Sequence, residues 1–84
     1  MKWCFITFRS ITPAQRGEAA LRRGGIGCTL QRTPAKLAQR GCGYCLRLRQ
    51  GDVGTAMGVL TENRIPYSKL YLVDGDGRAE ELGV

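Results

Sequence analysis

Tyr44-Cys45-Leu46-Arg47-Leu48-Arg49 alternates without a break, setting Tyr44, Leu46 and Leu48 on one side of an extended chain and Cys45, Arg47 and Arg49 on the other. An apolar row backed by a polar row marks a strand with one face against a core. The segment before it, Gly41-Cys42-Gly43, carries two glycines that favour a turn around Cys42. Residues 35–40 read as one helical turn closed by Gly41, and residues 27–33 as a strand ended by Pro34.

Further toward the N-terminus, Thr12-Pro13-Ala14-Gln15 has the form of a capping box with proline at the first helical position. The helix it opens carries a thin apolar face of Ala14, Gly17 and Leu21 and stops at Gly24-Gly25. Residues 3–8, Trp-Cys-Phe-Ile-Thr-Phe, read as the first strand. Beyond the central strand, Asp52 is a good N-cap for a second helix. Its residues Val53, Ala56, Met57 and Leu60 fall at i, i+3, i+4 and i+7. Ile65-Pro66 then leads to a last strand over 69–73, and Asp74-Gly75-Asp76-Gly77 is a turn.

The order is β-α-β-β-α-β. It predicts an α+β, ferredoxin-like two-layer sandwich, a four-stranded antiparallel sheet with two helices on one face. Residues 1–73 form the single domain, and 74–84 a flexible C-terminal tail. The sheet face away from the helices is left open or paired with a second copy.

Composition narrows the chemistry. The chain contains no histidine, which excludes Cys-His nucleophile pairs, histidine-ligated metals and histidine general bases. Thirteen basic residues, ten of them arginine, oppose seven acidic ones for a net charge of +6. Arginine suits bidentate binding of carboxylates and phosphates. No apolar run approaches the roughly 20 residues that span a bilayer, and the N-terminus lacks a secretory h-region. Membrane association is therefore not expected, and the cytoplasm is the expected compartment. There, cysteines are typically buried, metal-binding or catalytic.

Cys42 and Cys45 form a C-x-x-C. The pair reads either as reactive thiols or as two small buried residues beside a tight turn. Two sulfurs three apart meet only in a turn or helix start, because residues three apart in a strand point to opposite faces. Arg40, Arg47 and Arg49 are near in sequence and would favour a thiolate. Cys4 shares a strand face with Ile6 and Phe8, and Cys28 one with Leu30, so both read as buried core residues. With one close cysteine pair, no metal site is expected. Trp3, Phe5 and Thr7 fall opposite Cys4, beside Cys45, Arg47 and Arg49 in a β1–β3 pairing. That surface reads as a dimer or partner contact, or as a platform for single-stranded nucleic acid, of which the nucleic acid is the less expected.

These residues carry a family resemblance. Ile6-Thr7-Phe8-Arg9-Ser10, the helix to Gly25-Ile26, Pro34 with Leu37, and above all Cys42-Gly43-Tyr44-Cys45-Leu46-Arg47 make the chain, from Lys2 to Val73, similar to small bacterial domains described as putative selenium/sulfur carrier protein-like. The resemblance implies that Cys42 carries sulfur or selenium as a persulfide or perselenide. A cysteine desulfurase or another donor would load it, and an acceptor protein would unload it. Gly41 and Gly43 would give partners access, and Arg40, Arg47 and Arg49 would hold the anionic sulfur. Family members generally have a small residue where this chain has Cys45, which leaves Cys45 either a second, resolving thiol or a small residue that fits. A carrier is expected here rather than a self-contained enzyme, and no cofactor. The competing expectation is a non-catalytic interaction or regulatory domain using the open sheet face.

Overall fold

The computed structural model describes residues 2–38 and 43–82. The elements run β1 (Trp3–Phe8), α1 (Ile11–Arg23), β2 (Thr29–Arg32), β3 (Tyr44–Arg49), α2 (Val53–Glu62) after a short 3-10 turn, β4 (Leu70–Val73) and β5 (Ala79–Glu81). All strand pairs are antiparallel, and the sheet order is β2-β3-β1-β4-β5. The α+β class with two helices and an antiparallel sheet is as expected. The strand count is not. Five strands replace the predicted four, and the order departs from a simple ferredoxin-like sheet because β5 adds at the β4 edge. Residues read as tail thus contribute an edge strand, with Leu82 packed against the core. The turn before β5 is the predicted one. The Asp74 carboxylate accepts the backbone N–H groups of Asp76 and Arg78 at 2.9 and 3.0 Å, and Gly77 takes φ 83°.

Cross-strand register fixes the two faces. Cys4, Ile6 and Phe8 lie opposite Leu48, Leu46 and Tyr44, while Trp3, Phe5 and Thr7 lie opposite Arg49, Arg47 and Cys45. The first set packs with Ala14, Leu21, Ala56 and Leu60 into the main core beneath the helices. Gly17 permits the close approach of α1. A Cβ there would stand 3.1 Å from Leu46 Cδ1 and 3.3 Å from Phe8 Cζ.

α1 begins two residues earlier than the Thr12 cap implied. Its N-cap is Ser10, so Pro13 occupies the third helical position. Proline is tolerated there because first-turn N–H groups have no intrahelical acceptor. The C-terminus ends as predicted. Gly25, at φ 80°, and Ile26 donate back to Arg22 O and Leu21 O at 3.0 and 2.9 Å, the Schellman arrangement. α2 closes the same way through Arg64 and Ile65, with Arg64 at φ 52° where glycine would be less strained.

The far sheet face is not left open. Leu37, in a turn where its N–H donates to Pro34 O at 2.8 Å, packs on Phe5, Cys45 and Tyr71 as a second core. Cys4 is fully buried, whereas Cys28, expected inside, is only half-buried because β2 starts after it. Burial pushes the Cys4 thiol up to about 12 from an ordinary 9.0. The neutral thiol is therefore preferred in the folded state. Its stabilising contribution is complete below pH 9 and is lost as pH rises toward 12. Equilibrium unfolding of Cys4→Ala should show a shallower loss of stability across that alkaline window than the native chain. Equal slopes would overturn this.

Candidate functional site

β3 enters the sheet at Tyr44, directly after Gly43, whose carbonyl accepts the Thr33 N–H at 3.0 Å. This bond ties the end of β2 to the start of β3 and fixes where the chain joins the sheet. The candidate thiol Cys42, with Arg40 and Gly41, lies outside the described residues. The described residues that flank it are Ala38 and Gly43.

Cys45 sits on the sheet face away from the helices, fully buried beneath Leu37 with Phe5 and Tyr71. Its Sγ points toward Arg32 O at 3.9 Å, a weak thiol donation. Burial raises its pKa; the neighbouring Thr33 hydroxyl and the Arg47 charge pull the other way without reversing it. The result is a neutral, enclosed thiol, the opposite of what nucleophilic attack requires.

Of the predicted arginines, Arg47 and Arg49 are described, both on β3. Arg47 lies over the Trp3 ring at 4.6 Å, half-buried, with its Nε buried and unpartnered. Arg49 is exposed at the far end of β3, in register with Trp3. At roughly 3.3 Å per residue, Arg47 and Arg49 are about 13 and about 20 Å of strand beyond Gly43. Instead, register brings Arg9 and Arg32 to the Gly43 end. Arg32 pairs with Tyr44 and stacks on its ring at 5.2 Å, and its Nη1 is 3.9 Å from where a Gly43 Cβ would stand. Arg9 follows Phe8, the other partner of Tyr44. Neither was singled out from the sequence. The needed signal is the β2–β3 register, and the long connection over 33–43 conceals it.

The family described as "Putative Se/S carrier protein-like" matches residues 3–72. The chain belongs to that family. No curated protein and no solved structure matches it. In this carrier-like chain the match ends at Leu72, so the Asp74 turn and β5 lie beyond the matched span.

Among the described residues, no group of three or more histidine, cysteine or acidic side chains could hold a metal ion. None of their helices is long and apolar enough to cross a membrane. The aromatic surface that suggested base stacking is largely inaccessible, because Phe5 and Tyr71 lie under Leu37. Trp3 is half-buried and already covered by Arg47.

Proposed function

We propose that this chain is a sulfur or selenium carrier, with Cys42 as the acceptor thiol. The observation that carries the reading is the family match across β1–β4, which spans the Cys42-Gly43 step into β3. Three features agree with it. Histidine is absent, and a carrier requires no general base of its own, because its donor presents an activated sulfur. Cations Arg9 and Arg32 stand at the sheet end where Gly43 enters, which favours an anionic sulfur there. The three other cysteines are each at least half-buried, which agrees with Cys42 as the acceptor.

The transfer is a thiol–persulfide exchange. The Cys42 thiolate attacks the terminal sulfur of a donor persulfide. A new S–S bond forms as the donor's S–S bond breaks, and the donor leaves as a thiolate. No net oxidation or reduction occurs, and delivery to an acceptor reverses the step. Selenium follows the same course through a perselenide. Gly41 and Gly43, lacking side chains, would leave room for the donor's approach. The donor class is a cysteine desulfurase, or another enzyme that bears a persulfide or perselenide.

Intact-mass measurement after incubation with a cysteine desulfurase and cysteine tests this directly. A species heavier by one sulfur, mapped to Cys42 and removed by dithiothreitol, is expected. Absence of the added mass, or its location on Cys28, would overturn the assignment.

A further inference from the structure

We infer that the groove between α1 and the connection over residues 63–69 is the docking surface for an acidic polypeptide segment of the protein that loads or unloads the chain. The inference rests on the carrier reading for the identity of that partner, but the surface itself is independent of it. Two clefts, both walled by α1 and by the connection, form the groove. One, of about 220 Å³, is lined by Arg16, Ala19 and Arg23 of α1 against Asn63 and Ile65. The other, of about 550 Å³, is lined by Arg9, Ser10 and Pro13 against Pro66, Tyr67, Ser68 and Lys69. Pro13, Arg16, Ala19 and Arg23 recur at helical spacing, so one strip of α1 walls both. The strip runs along a helix of 13 residues, roughly 20 Å at 1.5 Å per residue.

The charge on this strip is of one sign. Arg9, Arg16, Arg23 and Lys69 line the two clefts and no acidic side chain does. Glu18, the acidic residue of α1, is engaged elsewhere with Arg22 at 3.2 Å. Lys69 meets Glu81 at 3.4 Å, but both are exposed, and such a pair is weak enough for a ligand carboxylate to displace. Arg9, Arg16 and Arg23 are exposed and form no ion pair with any described residue. Between the cations lie Pro13, Ala19, Ile65 and Pro66, so apolar contacts alternate with charge. That pattern fits carboxylates carried on a polypeptide with interspersed apolar side chains. A nucleic-acid strand would need exposed aromatic platforms, and the groove offers only half-buried Tyr67.

Position gives the groove its use. Its wider end holds Arg9, which follows Phe8, and Phe8 is the register partner of Tyr44. A segment seated along α1 therefore ends at the edge of the sheet where Gly43, the residue after Cys42, joins β3.

The test is fluorescence anisotropy with a labelled glutamate-rich peptide containing interspersed leucines, using native chain, Arg16→Glu/Arg23→Glu and the charge-matched Lys2→Glu/Arg78→Glu. All four positions are exposed, and circular dichroism confirms folding of each variant. The groove variant should bind the peptide at least tenfold more weakly, about 1.4 kcal/mol. The charge-matched variant should stay within about twofold, and native binding should weaken between about 50 and about 200 mM salt. Equal weakening in both variants would reduce the effect to net charge and overturn the inference. So would tighter binding of a single-stranded oligonucleotide than of the peptide at the same salt. Loading of Cys42 by inorganic polysulfide is measured in parallel. It should be unchanged in the groove variant, since that donor needs no docking. If the native chain takes no sulfur from any donor, the carrier reading falls, while the peptide titration still decides the groove.

Discussion

Cys42→Ala should abolish sulfur loading, while Cys45→Ala should keep most of it. The C-x-x-C spacing alone suggests equal involvement, since dithiol oxidoreductases use both sulfurs. They do so, however, from a helix start, where residues three apart lie on one side. Here Cys45 is the second residue of β3, paired with Thr7 across the strand and enclosed by Leu37. A disulfide requires Cβ atoms within roughly 3.5–4.5 Å, and an enclosed strand residue meets that only by breaking the packing around it. Its burial also raises the thiol pKa, so little thiolate exists at neutral pH. Removing one sulfur from this core should cost about 1 kcal/mol through lost burial, without touching transfer. Mass spectrometry of the two variants after desulfurase treatment separates the cases. Equal loss of loading in both, or a stable Cys42–Cys45 disulfide under reducing conditions, would make the chain a dithiol redox protein instead.

Phe8→Ala should be the most destabilising of the simple core truncations, by about 3–5 kcal/mol. Phe8 ends β1 on the helix side, fully buried, and is the largest of the fully enclosed side chains. Its ring reaches α1 at Gly17, where an added Cβ would stand 3.3 Å from Phe8 Cζ. Small domains hold roughly 5–15 kcal/mol in total, so this loss leaves a substantial unfolded fraction at ambient temperature. Urea denaturation should show a lower midpoint with little change in slope. The neighbour relation gives a second check. Gly17→Ala crowds Phe8 Cζ and Leu46 Cδ1 in the native chain, and should cost less in the Phe8→Ala background than alone. A Phe8→Ala loss below about 1 kcal/mol, or strict additivity, would show that the helix does not bear on the sheet here.

Much of this fold was legible because its central strands alternate strictly. Residues 44–49 and 3–8 sort their side chains between two faces, and the structure keeps the predicted sorting at every position. Gly24-Gly25 and Asp52 likewise mark helix ends that hold. What escaped lacks local periodicity. Ala79-Glu80-Glu81 has no β-branched or aromatic residue, and becomes a strand through pairing with β4 and the anchoring of Leu82. Leu37 is a single apolar residue in a proline-led turn, so nothing nearby signals that it covers a sheet face. The Ser10 cap was obscured by the more conspicuous Thr12-Pro13. For the site, the sequence marks Cys42 and the arginines nearby in the chain, whereas Arg9 and Arg32 reach the Gly43 end of the sheet only through strand register. Docking charge on α1 was scattered in the sequence and became a strip only once the helix wound.

The enclosure of Cys45 also sets how this chain would fare under peroxide. A thiolate that meets peroxide becomes a sulfenic acid, and an accessible neighbouring thiol normally traps it as a disulfide before further oxidation. Leu37, Phe5 and Tyr71 withhold Cys45 from that rescue. A sulfenic acid at Cys42 would therefore depend on an external thiol such as glutathione, and otherwise proceed to the irreversible sulfinic acid. If Cys42 is the carrier thiol, the packing that encloses Cys45 makes the chain's working lifetime depend on the reductant around it.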